Sequence, residues 1–179
     1  MENIVRTYDI PVDTHWLKLV VDYNNDTRER RIFIDDQLFL EIAGKSSFYV
    51  EEDYFIPELH NKKITIGFRK VEKEFMCKIT IDGKTLKQVR VQSKQKFDFW
   101  KVDVYGDGVK ALMIYEVGNN MLKCLARSFE IPEAPCSFNF KINDTNFVLK
   151  VTPETPQSDK TELTMNGVVI DHFKGRDGE

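Results

Sequence analysis

The chain has 179 residues, of which 41% are hydrophobic, 12% aromatic and 31% charged, so it has a core to bury and is not a disordered segment. Its net charge of −3, from 26 Lys and Arg against 29 Asp and Glu, gives no general attraction to nucleic acid or anionic lipid. The longest apolar runs, such as Leu19-Val20-Val21 and Phe147-Val148-Leu149, fall far short of the roughly 20 residues a membrane-spanning helix needs, so membrane insertion is not expected.

The first residues, Met1-Glu2-Asn3-Ile4-Val5-Arg6, lack the basic stretch and apolar run of a secretory signal. The three cysteines, Cys77, Cys124 and Cys136, cannot all pair, and no two have Cys-x-x-Cys spacing, so a cytoplasmic location is expected. Asn25-Asp26-Thr27 and Asn143-Asp144-Thr145 match a glycosylation tripeptide, but without a secretory route they read as turns. Further on, Asp35-Asp36 is a turn signal, and residues 51–59 allow a short turn of helix that Pro57 limits. In residues 63–69 the even positions are apolar and the odd ones polar or glycine. Phe75, Cys77, Ile79 and Ile81 then share one face, ending at Asp82-Gly83, a dipeptide suited to a two-residue hairpin turn. The second half behaves alike. Gly106-Asp107-Gly108 and Gly118-Asn119-Asn120 mark turns, while Phe138, Phe140 and Ile142 alternate with polar residues. Phe147, Leu149 and Val151 do the same before Asn166-Gly167. No window shows a sustained, capped stripe at helical spacing, so the chain reads as all-β and antiparallel.

An internal repeat is also expected. An offset of 84 places His15-Trp16 on Phe99-Trp100, Asp35-Asp36 on Asn119-Asn120, and residues 79–83 on residues 163–167. Residues 64–68 match residues 147–151 at an offset of 83. This predicts two tandem antiparallel β-sandwich domains, 1–91 and 97–179, with the boundary in the polar stretch Gln92-Ser93-Lys94-Gln95-Lys96.

Features for catalysis are sparse. The histidines His15, His60 and His172 are scattered, with no second ligand at metal spacing, so no metal or cofactor is expected. Gly83-Lys84-Thr85 resembles the end of a phosphate-binding loop, but the earlier glycine that motif needs is replaced by Lys78. Cys77 and Cys124 read as small core residues, and Cys136, after Pro135, as the most exposed thiol. The acidic run Glu51-Glu52-Asp53 reads as a solvated loop rather than a cation site. Trp16 and Trp100 are core anchors or, alternatively, platforms for a sugar or lipid. Lys84, Lys87, Arg90, Lys94 and Lys96, with no acid between Gly83 and Phe97, are either a solvated hairpin strand and linker or a docking patch for an acidic partner.

The run Cys77-Lys78-Ile79-Thr80-Ile81-Asp82-Gly83-Lys84-Thr85-Leu86-Lys87, followed by Trp100, resembles the Fas apoptotic inhibitory molecule family. So do Arg31-Ile32-Phe33-Ile34-Asp35-Asp36, Ser47-Phe48-Tyr49-Val50 and Leu163-Thr164-Met165-Asn166-Gly167, in the same order. The resemblance implies a cytosolic, non-enzymatic protein of two β-sandwich domains that binds other proteins. Such proteins are associated with inhibition of death-receptor apoptosis and with keeping stress-damaged or ubiquitinated proteins from aggregating. The family has no catalytic residues to carry over. An energy-independent holding activity at strand edges follows as an expectation, with Arg28, Arg30, Arg31, Lys63 and Arg69 limiting self-pairing.

Overall fold

The computed structural model describes residues 3–44, 51–156 and 158–179; Ser47-Phe48-Tyr49-Val50 and the side chain of Phe75 lie outside the described residues. The alternation in the sequence becomes four antiparallel four-stranded sheets among the described residues. The chain divides into two units, Met1–Ser93 with Gly175–Glu179, and Lys94–Lys174.

In the first unit, one sheet is a meander of β1 (Ile4–Val12), β2 (His15–Tyr23), β3 (Arg30–Ile34) and β4 (Gln37–Ile42). The other runs β5 (Glu52–Ile56), β6 (Lys62–Val71), β7 (Glu74–Ile81) and β8 (Lys84–Thr85), and helix α1 (Leu86–Lys94) follows. Both sheets feed one core. Leu17, Leu19 and Val21 of β2 are fully buried, and Ile64, Ile66, Ile79 and Ile81 join them from β6 and β7. Each such side chain contributes roughly 1.5–3 kcal/mol on burial, so a one-residue slip of β2 would expose the whole set.

The second unit has β9 (Phe97–Val102), β10 (Ala111–Glu116), β11 (Met121–Cys124) and β12 (Arg127–Glu130) in one sheet. Its other sheet has β13 (Cys136–Ile142), β14 (Thr145–Thr155), β15 (Ser158–Met165) and β16 (Val168–Ile170). Its core joins Trp100, Met113, Tyr115 and Leu122 from the first sheet to Phe147, Leu149 and Leu163 from the second.

The turn chemistry is as the dipeptides require. Asp82 and Gly83 have φ of 48° and 76° between Ile81 and Lys84, and Asn166 and Gly167 have 50° and 81° between Met165 and Val168. Gly83-Lys84-Thr85 is thus a hairpin turn and the short strand after it.

Three expectations need correction. In residues 51–59 the expected turn of helix is a three-residue 3-10 turn, Pro57–Leu59, while Glu52 and Asp53 lie on strand β5 and not in a solvated acidic loop. The stretch after β8, expected as a strand and linker, is helix α1. Thr85 Oγ1 accepts from the Gln88 N–H while Gln88 Oε1 accepts from the Thr85 N–H, a capping box that starts the helix. Leu86 is buried and Val89 packs on the first unit's core. Finally, the residues paired by the 84-residue offset do not all occupy matching strands. Trp16 lies on β2, the second strand of its sheet, but Trp100 lies on β9, the first of its own. Asp35-Asp36 joins the third and fourth strands of a sheet, and Asn119-Asn120 the second and third. Only the later landmarks, on β6 through β8 and β14 through β16, fall at corresponding places.

Candidate functional site

Strand β1 is the first strand of its sheet, so one of its two edges is not used by β2. Odd residues face that outer edge. Thr7 and Asp9 donate their N–H groups to the carbonyls of Glu179 and Arg176, at 3.0 and 2.9 Å, and Thr7 O accepts from the Gly178 N–H at 2.8 Å. Pro11, at the next odd position, has no N–H to offer and closes the ladder at that end. Gly175–Glu179 therefore lies along β1 as a short antiparallel addition, bridged at Tyr8 and Asp177.

Asp9 supplies the charge at this edge. It is 5% exposed, and its carboxylate accepts from Arg176 Nε at 2.9 Å, Arg176 Nη2 at 2.9 Å and the Arg176 backbone N–H at 2.7 Å. The two-pronged guanidinium contact is the strong, geometrically selective form of the pair. Arg90 of α1 adds a second cation: its Nη2 donates to the Asp9 carbonyl at 2.9 Å and to the Arg176 carbonyl. The Arg90 guanidinium also lies 5.9 Å from the centre of the Trp16 ring. A hollow of about 440 Å³ opens beside Asp177 and Gly178, lined by Arg6, Tyr8, Met76, Ile79 and Lys87 among others.

The second unit holds a polar cluster of its own. Thr161 on β15 donates its hydroxyl hydrogen to Asp98 Oδ2 at 2.7 Å, so its oxygen accepts from His172 Nε2 at 3.0 Å. A hydroxyl has one hydrogen, and this assignment satisfies both contacts. The His172 ring lies tilted against Trp100, with ring centres 4.9 Å apart, and Phe173 N–H donates to the Phe99 carbonyl. Burial raises the Asp98 carboxyl pKa, opposed by the Thr161 hydrogen bond and by His172. Burial lowers that of His172, opposed by Asp98. An imidazole that donates to the hydroxyl is not poised to take its proton, so the geometry clamps Thr161 rather than activating it.

The five cations of the expected docking patch do not act alike. Lys84 donates to Gln92 Oε1 at 3.1 Å, and Arg90 is turned to Asp9, Arg176 and Trp16. Lys87 and Lys94 on α1 and Lys96 after it are exposed. Arg90 is a structural cation, and Lys87 borders the hollow beside Gly178. The acidic run is likewise engaged: Glu52 pairs with Arg30, and Asp53 accepts from Thr65 and pairs with Lys63. Among the described residues no cluster of His, Cys, Asp and Glu has the arrangement of a metal site.

The two tryptophans differ, Trp16 being only half-buried. Trp100 is fully buried, and Arg90 lies over Trp16. Cys77 is half-buried, and burial pushes its thiol up to about 11, so it stays protonated at neutral pH. Cys124 is buried, and Cys136, expected to be the exposed thiol, is half-buried and packs on the second unit's core. The sequence reading missed Asp9, Thr161 and Arg176 altogether. The one local signal was an arginine between glycines in Gly175-Arg176-Asp177-Gly178, which has no periodicity to read.

No family model matches the chain, and neither a curated protein nor a solved structure does. No helix among the described residues is long and apolar enough to cross a membrane.

Proposed function

We propose that this is a non-enzymatic, cytoplasmic protein-binding factor built of two β-sandwich domains, related to each other by repetition and similar to the Fas apoptotic inhibitory molecule family. Its partners on this reading are other proteins, either signalling components or stress-damaged clients. The holding of unfolded clients is the activity we favour. One observation carries it: edge strands present apolar side chains to solvent. Leu38 and Phe39 on β4 are 55% and 39% exposed, and Val168 and Val169 on β16 are 66% and 56% exposed. Each of these strands ends its sheet, so an extended client segment gains both backbone hydrogen bonds and an apolar contact there. The cations expected to guard edges do not support this role, because Arg30 pairs with Glu52, Arg31 with Asp22, and Lys63 and Arg69 stand on the interior strand β6.

Such binding needs no ATP and is stoichiometric. The test is light scattering from a heat-stressed client with increasing amounts of the chain, beside an inert β-sandwich control. Scattering should fall toward equimolar protein, and Leu38→Lys with Val168→Lys should restore most of it. Scattering equal to the control throughout would remove the holding activity and leave a signalling partnership.

A further inference from the structure

The contacts along β1 specify what fits there. An added Cβ at Gly175 would stand 2.8 Å from Trp16 Cζ3, 2.9 Å from Asp9 Cβ and 3.1 Å from Arg90 Nη2, and at Gly178 it would stand 3.2 Å from the Tyr8 ring. Both glycines also have positive φ, 73° and 86°, which L side chains rarely adopt. Between them, position 176 must satisfy the buried Asp9 carboxylate with a two-pronged donor, which arginine does and lysine does not. Asp177 bridges to Tyr8 through its backbone, and its carboxylate acts on the Arg90 guanidinium through charge alone.

We propose that the outer edge of β1 is a strand-acceptor site that reads Gly-Arg-x-Gly, filled in cis by residues 175–178, and that a partner protein's extended segment of that chemistry binds by displacing them. Charge and shape argue for this occupant together. The site holds one buried carboxylate, one place too tight for a side chain at Gly175, a second at Gly178 where positive φ and the Tyr8 ring disfavour one, and outward N–H groups at Thr7 and Asp9 for main-chain pairing. The chain's own segment sets a high local concentration, so it acts as a built-in competitor. The hollow beside Gly178 gives room for side chains of a segment longer than the cis one. The proposal is separate from client holding, which was assigned to β4 and β16.

The experiment uses the full chain carrying Gly178→Val, which weakens the cis segment and leaves the acceptor intact. The probe is a fluorescent peptide with the sequence of residues 171–179, followed by anisotropy. It should bind this variant saturably at one per chain, and the unmodified chain roughly tenfold more weakly. Replacing the peptide's arginine by alanine or its second glycine by valine should weaken binding about tenfold or more. Asp9→Asn in the variant should do the same. Arg176→Ala, which keeps the glycines, serves as a second displaced variant if Gly178→Val does not fold. Absence of binding to a folded displaced variant would overturn the proposal, as would equal binding of the arginine-free peptide. A doubling of mass with peptide excluded would also overturn it, in favour of exchange of this segment between two copies. Client scattering measured on the same samples reports separately on holding.

Discussion

Arg30 on β3 donates through Nε and Nη2 to the Glu52 carboxylate on β5, so one ion pair joins the two sheets of the first unit. Arg30 is only 2% exposed, its guanidinium lies 5.9 Å from the centre of the Phe68 ring, and Tyr54 donates its hydroxyl to the same carboxylate. Burial of the tyrosine hydroxyl and the adjacent Glu52 raise the Tyr54 pKa, so the phenol stays a donor across the accessible range. Glu52→Ala leaves a buried guanidinium without its carboxylate and should destabilise the unit by about 3–5 kcal/mol. Replacing both partners, as Arg30→Met with Glu52→Leu, should recover much of that loss. Urea unfolding of the two variants measures this, and equal losses would show that the pair's own attraction dominates over the cost of stranding one charge.

The Asp98–Thr161–His172 cluster predicts a pH dependence with two opposed parts. The His172 pKa is lowered below its ordinary 6.5 on folding, so the unfolded chain binds more protons there. Stability from this group is full above pH 6.5 and is lost as pH falls through the folded value. The Asp98 pKa is raised above 3.8, so the folded form binds more protons and this group regains stability as pH falls over its own window. Asp98→Asn keeps an acceptor for Thr161 and removes the second effect. Thermal melts of that variant should drop steadily as pH is lowered below 6.5, and adding His172→Gln should flatten the curve. A slope unchanged by His172→Gln would assign the effect elsewhere.

Folding of the units should be separable but unequal. A fragment of residues 94–174 contains both of its sheets and their joint core, and should give a cooperative β-rich melt. A fragment of residues 1–93 lacks the strand added to β1 and leaves Asp9 without Arg176. It should melt at a lower temperature than the same unit in the whole chain. Circular dichroism of the fragments and the whole chain compares them, and a non-cooperative 94–174 would contradict the division.

Much of the fold was legible because a strand shows its burial at every second residue. Ile64, Ile66 and Phe68, or Phe147, Leu149 and Val151, announce their buried face within a few positions, and Asp82-Gly83 and Asn166-Gly167 announce the reversals. Helix α1 was not read, because a run of cations with only Leu86 and Val89 turned inward hid it, although Thr85 and Gln88 stand at capping-box spacing. The earlier landmarks of the 84-residue offset misled for the opposite reason. A tryptophan near a strand start and a pair of turn residues recur wherever strands alternate with turns, so they fell on strands of different rank in β2 and β9.

What the sequence by itself determined was the period-two pattern, and with it the all-β class, the turns and most of the buried set, because those depend on neighbours within about ten residues. The tertiary structure alone decided which charges are used. Asp9 meets Arg176 across 167 positions, Asp98 meets Thr161 across 63, and Arg30 meets Glu52 across 22. An ionic or hydrogen-bonded partner is chosen by distance and burial after the sheets have formed, and neither quantity is written in local composition.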